Sequence, residues 1–223
     1  MLDMIVSLDT QLTLWLNGSE SVFLDTFAKT ATKTTTWVPL ALLLVYLLVR
    51  MRNWKNALLV MLSVALVIIL ADQMASGVFK PLVARLRPSQ NPELDGLIDL
   101  VDGYRGGPYG FFSSHAANTC GVAVFLSLLF RHKWFTGTIS SWALLNCWTR
   151  LYLGVHYVGD ILVGVLWGCC VGWMVYRLYR YLDRRYMLRG AGLFTPERAQ
   201  LLTEGILLTY VALLIYAACY AIL

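Results

Sequence analysis

Charged residues are scarce in this 223-residue chain, at 14%, while 58% of positions are hydrophobic and the mean hydropathy is +0.63. That balance excludes a water-soluble domain of this size and implies an integral membrane protein. Cysteine is sparse as well: Cys120, Cys147, Cys169, Cys170 and Cys219 all fall within long apolar runs, with no C-x-x-C spacing. Neither a zinc site nor a disulfide framework is indicated, and the plain reading is small packing residues. The N-terminus lacks a basic start and its apolar run is broken by Asp9, which argues against a signal peptide. The net charge of +5 is not gathered into an aromatic and basic module, so nucleic acid is not an expected partner.

What is present is a series of apolar runs. A bilayer core asks for about 20 apolar residues per helix. Six candidate spans follow, at residues 36–49, 54–76, 114–130, 135–153, 161–181 and 201–223, the first short and drawing on Thr34 and Thr35. Upstream of them, Leu12, Leu14, Trp15, Leu16, Phe23 and Phe27 are interrupted by Asp9, Asn17, Gly18, Glu20 and Asp25. Such a stretch reads as two short amphipathic helices lying in the interface. The expected fold is therefore all-α, a polytopic membrane helix bundle of about six spans. Its expected organisation is interfacial helices over 1–33, a core bundle over 34–183, a basic loop over 184–199 and a last span over 200–223.

Basic residues in short connections set orientation. Arg50, Arg52 and Lys55, then Arg131 and Lys133, then Arg177, Arg180, Arg184, Arg185, Arg189 and Arg198 mark one side as cytoplasmic. The loop over 77–113, the turn over 154–160 and both termini then face outward. Gly164, Gly168 and Gly172 recur every fourth residue in the fifth span, which permits close helix contact within the chain or across a dimer seam.

Three clusters carry chemistry, all on the outer side. Lys80 closes the second span and Pro81 suits the start of a short helix; if that helix continues, Arg87 lies on the same side as Lys80. Two such cations can clamp an anion, and taken alone they also fit snorkelling at the interface. Ser113 is a plausible N-cap for the third span, with Ser114 and His115 on the first turn, where unpaired N–H groups attract a phosphate. Arg150, His156 and Asp160 close the fourth span. The i,i+4 spacing of His156 and Asp160 lets a carboxylate hold one ring nitrogen and leave the other free to attack. Arg150 at a membrane boundary needs an anion, a water-filled cavity or a route to the interface. Asp72 and Gln73, in the outer half of the second span, either line a cavity or bond between helices.

Lys80-x6-Arg87-Pro88, Ser113-Ser114-His115 and Arg150-x5-His156-x3-Asp160 together resemble the three signatures of the type 2 phosphatidic acid phosphatase superfamily, which also contains vanadium haloperoxidases. The second signature departs from the usual pattern, with Phe112 and Ser114 in place of Pro and Gly, and Thr149 stands where Ser is usual before Arg150. The resemblance implies that His156 attacks phosphorus to form a phosphohistidine, Asp160 orients it, and His115 protonates the leaving oxygen. It further implies that Lys80, Arg87, Arg150, Ser113 and Ser114 bind the phosphate, with no metal or other cofactor. Three cations can meet the charge demands of phosphoryl transfer. A wholly embedded scaffold points to a lipid phosphate substrate, either undecaprenyl pyrophosphate or lipid A at the outer face of a bacterial inner membrane. Phosphatidylglycerophosphate and phosphatidic acid are the alternative substrates, and a non-catalytic lipid-binding or transport protein is the alternative class. A haloperoxidase fits poorly with so apolar a chain. The loop over 89–112, with Glu93, Asp95, Asp99, Asp102 and Arg105, is read either as a lid or as solvated surface.

Overall fold

In the computed structural model, which describes residues 2–50, 53–186, 188 and 194–223, the regular structure is helical. The helices are α1 (Leu2–Leu16), α2 (Val22–Ala31), α3 (Val38–Val49), α4 (Trp54–Asp72), α5 (Lys80–Val83), α6 (Ser114–Phe130), α7 (Lys133–Tyr152), α8 (Val158–Arg185) and α9 (Pro196–Ile222). A widened π-type segment, Gln73–Phe79, joins α4 to α5, and a 3-10 turn, Thr34–Trp37, leads into α3. Three helical stretches are long and apolar enough to cross a bilayer: Trp54–Val83, Val158–Arg185 and Pro196–Ile222. A fourth span arises if α2 and the stretch Thr34–Val49, bent by 69° at their junction, are counted as one. These lengths do not confirm a count of six, because α6 is apolar but shorter and α7 does not meet the same test.

The distribution of apolar side chains is what a lipid environment demands. Leu58, Leu62 and Ile69 of α4, Leu162 and Leu166 of α8, and Leu208, Ile215 and Ile222 of α9 are exposed. In water that much apolar surface would drive aggregation, whereas in lipid it is the solvated face. Trp54 and Trp134 stand exposed beside Lys55 and Lys133 at the starts of α4 and α7, in the manner of an interfacial aromatic belt.

Close approach of helices holds the interior, since apolar burial contributes little between helices already in hydrocarbon. α8 lies against α6 along the glycine stripe: a Cβ on Gly164, Gly168 or Gly172 would stand 2.6, 2.3 or 2.4 Å from the Ser113, Ala117 or Gly121 carbonyl oxygen. The stripe is thus an intramolecular seam. At the opposite end from Ser113, Asn56 of α4 donates to Tyr179 and Asp183 of α8, and Arg131 donates to Tyr176. The bundle therefore has one end rich in the expected cytoplasmic cations and another where Lys80, Ser113, Arg150 and Asp160 gather. Of the basic positions, Arg52 and Arg189 lie outside the described residues.

α1 exposes Met4, Ile5, Leu8, Leu12 and Trp15, as an interfacial helix would. Its other face is put to use. Asp9 Oδ1 accepts from Gly159 N at 2.7 Å and Thr13 Oγ from Val158 N at 3.1 Å, so α1 caps the first turn of α8 from outside.

Candidate active site

The 54–83 stretch stops abruptly after Val83, where Ala84 adopts φ 48 and ψ 29. The helix therefore does not carry on to Arg87, and the expectation that Lys80 and Arg87 share a helix face is corrected. Arg87 instead sits in extended backbone (φ −69, ψ 156) ahead of Pro88, as the residue before a proline prefers. Its side chain turns inward, Nε donating to the Tyr109 carbonyl at 3.2 Å and Nη1 to the Val155 carbonyl at 3.3 Å. Gly106, at φ +67, lies so near that a Cβ there would stand 2.9 Å from Arg87 Nη1. Both its backbone conformation and its lack of a side chain make room for the guanidinium.

Lys80 keeps its helical position. Its Nζ donates to Ser76 Oγ at 3.2 Å and to Ser114 Oγ at 3.3 Å, and Ser76 donates to Asp72 at 3.3 Å. Asp72 thus helps to fix Lys80 through Ser76, along i,i+4 steps. Ser113 is the N-cap of α6: its Oγ accepts from Ala116 N at 3.3 Å and its own N–H donates to the Asp160 carbonyl at 3.1 Å. With its side chain fully buried, Ser113 joins α6 to α8, and Ser114 is the serine bonded to a cation. Phe112 packs against Phe79 with ring centroids 5.4 Å apart, filling with an aromatic the place the resemblance gives to Pro.

His156 is 1% exposed and precedes α8, whose third residue is Asp160. Asp160 Oδ2 accepts from Tyr157 N at 3.0 Å and stands 3.4 Å from His156 Nδ1. The backbone of Gly110 also bonds the imidazole, and a Cβ there would be 3.0 Å from Asp160 Oδ2. Acceptors on the Nδ1 edge place the ring proton there and leave Nε2 with its lone pair. Burial first, then the charges of Arg87, Arg150 and Lys80, hold the His156 pKa well below its ordinary 6.5. The imidazole is therefore neutral at neutral pH. The same three cations act on His115, which places both histidines and all three cations in one electrostatic neighbourhood.

Arg150 is 2% exposed. Nη1 donates to Thr32 Oγ at 2.7 Å and Nη2 to the Tyr104 hydroxyl at 3.4 Å, while Nε is buried without a hydrogen-bond partner. Burial would raise the Tyr104 pKa, but the hydrogen bond and charge of Arg150 outweigh it and pull the phenol below its ordinary value. A guanidinium this deep with neutral partners costs several kcal/mol unless an anion joins it. Snorkelling is ruled out for Arg150 by that burial.

Besides Thr32 and Tyr104, which meet Arg150, two charged residues of the site went unread in the sequence. Arg85, inside the Lys80-x6-Arg87 spacing, donates to Asp160 Oδ1 at 3.1 Å and to Asp9 Oδ2 at 2.8 Å, with its guanidinium 3.7 Å above the Tyr157 ring. Asp9, which the sequence presents only as a break in an apolar run, thereby reaches the residue that holds His156. The signal for both was present as charge in an otherwise apolar setting, but nothing local says what they pair with.

A family model described as the PAP2 superfamily matches residues 56–184, more than half of the chain. The chain belongs to that superfamily. It is also 40% identical over 225 aligned positions to a protein of Bacteroides thetaiotaomicron called lipid A 4'-phosphatase, covering 97% of this chain and 98% of that one. A Porphyromonas gingivalis protein with the same name is 37% identical over 186 positions, or 83% of this chain and 79% of that one. No solved structure matches. As a PAP2 member with relatives of that kind, the chain is a membrane lipid phosphatase acting on a lipid phosphate. The PAP2 match spans every site residue placed above except Asp9 and Thr32.

Proposed function

We propose that this chain hydrolyses a phosphate from an envelope lipid, with lipid A as the substrate its named relatives favour over undecaprenyl pyrophosphate. The observation that carries the reading is a neutral, carboxylate-held His156 buried among Lys80, Arg87 and Arg150, the last with an unpartnered Nε. His156 Nε2 attacks phosphorus as the ester P–O bond breaks, and His115, which takes up a proton when the bound phosphate offsets the three cations, gives that proton to the departing alkoxide. Lys80, Arg87, Arg150 and Ser114 neutralise the phosphoryl oxygens, with the Ser113 cap fixing that turn. Asp160 steadies the positive ring of the phosphohistidine. Water, losing its proton to His115, then attacks phosphorus and frees inorganic phosphate and His156.

The charge needed is supplied by side chains, so the reaction is metal-independent in this reading. The bundle over 34–183 is the catalytic unit, with 1–33 as interfacial helices, 184–199 as a basic connection that takes in the end of α8 and the start of α9, and 200–223 as the closing span. The site faces the periplasm from the inner membrane, supported by the cations gathered at the bundle's other end. Purified protein in detergent with excess chelator should release phosphate from lipid A, and His156→Ala should reduce release to background. Release that persists in that variant removes the nucleophile assigned here.

A further inference from the structure

At the end of the bundle opposite the phosphate cradle, a cavity of about 230 Å³ lies where the end of α6 meets the last turns of α8. Sites for drug-sized ligands run to about 300–1,000 Å³, so this volume suits a small head group. Phe130 and Phe194 give it an apolar side, and Arg131, Tyr176, Arg180 and Asp183 a polar one. Arg131 caps α6 with φ 51 and ψ 39, a left-handed conformation that glycine would take at lower cost. That turn folds its side chain back, Nε donating to the Leu128 carbonyl at 3.4 Å and Nη2 to the Tyr176 hydroxyl at 3.0 Å. Arg180 Nη1 donates to the same hydroxyl at 3.3 Å.

Two guanidiniums thus converge on one neutral oxygen, and an anion seated between them would relieve their repulsion. The hydroxyl hydrogen of Tyr176 meets no acceptor among the described residues. Arg180 Nε is sealed from solvent, whereas its Nη2, unbonded among the described residues, remains accessible. The Asp183 carboxylate is held by Asn56 Nδ2 at 3.0 Å. Two cations against that one carboxylate leave a single positive charge, which matches the single negative charge of a phosphodiester. Arg177, Trp173 and Leu166 share a face of α8 with Arg180. Arg177 stands 5.4 Å from the Trp173 ring, and Trp173 and Leu166, both exposed, carry that face from the pocket into the lipid-facing surface.

We propose that this pocket binds the phosphate of an anionic phospholipid, with Arg131, Arg180 and the Tyr176 hydroxyl on the phosphodiester oxygens and the acyl chains along Trp173 and Leu166. Basic pockets between transmembrane helices at the cytoplasmic side are suited to such head groups. Free phosphate shares the oxyanion chemistry but has no use for the exposed apolar strip of α8, which is why the lipid is favoured. The bound lipid would tie the end of α6 to α8. This site is separate from the cradle and stands whichever lipid the enzyme hydrolyses.

The test is a lipid titration of the full chain in neutral detergent, read by native mass spectrometry, with phosphatidylglycerol and phosphatidylcholine as probes. The wild type should bind phosphatidylglycerol about ten-fold more tightly, and equal affinity for the two overturns the proposal without any variant. Arg131→Gln and Arg180→Gln should each raise the Kd for phosphatidylglycerol about ten-fold, the size of one lost charge-assisted hydrogen bond. Arg184→Gln, which removes an exposed cation at the same end but outside the pocket, should change it less than two-fold. A Kd within two-fold of wild type in both pocket variants overturns the site, and so does an equal loss in Arg184→Gln, which would mark diffuse attraction to a basic surface. Circular dichroism checks that each variant folds. If the arginine variants do not, Tyr176→Phe keeps the ring and should still weaken phosphatidylglycerol several-fold; an unchanged Kd there overturns the proposal. Inorganic phosphate at the lipid's Kd should not displace it, and displacement would assign the pocket to free phosphate and overturn the lipid.

Discussion

His156 and Arg150 show how a side chain's surroundings set its chemistry. Burial, then Arg87, Arg150 and Lys80, favour the neutral ring of His156, so its proton is lost below the ordinary 6.5 and the lone pair persists as pH falls through that value. The acid limb of kcat/KM that reports this group in the free enzyme should accordingly lie below pH 6.5. A bound phosphate offsets the three cations, so the matching limb of kcat should lie higher; a pH-rate series on both parameters checks the order. Arg150 commits both terminal nitrogens and leaves Nε buried without a partner. Arg150→Lys keeps the charge and loses the fork, and kcat/KM for lipid A should drop about 10²-fold, measured by phosphate release. The identities of these residues were legible in the spacing of the signatures. Their burial was not, because 2% exposure for Arg150 depends on Thr32 and Tyr104, which arrive from distant parts of the chain.

At the scale of elements, the site is the place where the ends of α5, α6, α7 and α8 meet under the loop over 89–112. That loop is fastened rather than merely solvated: Ser89 N donates to the Gly154 carbonyl at 2.9 Å, Asp99 N to Asn17 Oδ1 at 2.8 Å, and Lys29 pairs with Asp102. Tyr104 brings it onto Arg150. α1 acts from outside, where Asp9 holds both Arg85 and the first turn of α8. Asp9→Ala should lower kcat about ten-fold or more with a smaller change in KM, since His156 loses its orientation while the cradle cations remain. Asp9→Asn, which retains an acceptor, should recover part of it; steady-state kinetics on the pair separates positioning from simple destabilisation. The sequence reading found α1 as an amphipathic helix but not this role, because amphipathicity describes a face and is silent on which neighbour a single carboxylate meets.

For the whole molecule, apolar side chains face outward along α4, α8 and α9, and the cationic end lies opposite the site. Glu93 is exposed beside the site and Arg184 at the other end. With Cys170 and Cys219 replaced by Ala, Glu93→Cys should react with a membrane-impermeant maleimide in intact spheroplasts, whereas Arg184→Cys should react only after lysis. The reverse labelling pattern would invert the orientation proposed here. The sequence by itself determined the membrane setting, the all-helical class and the signature residues, because composition and i,i+4 or fixed-motif spacing are local properties of a chain. Only tertiary structure decided that α5 ends before Arg87, that Arg85 and Asp9 support Asp160, and that Arg131 and Arg180 meet on the Tyr176 hydroxyl. Each of these depends on charges and walls brought together from segments tens of residues apart, and hydropathy and periodicity carry no information about such meetings.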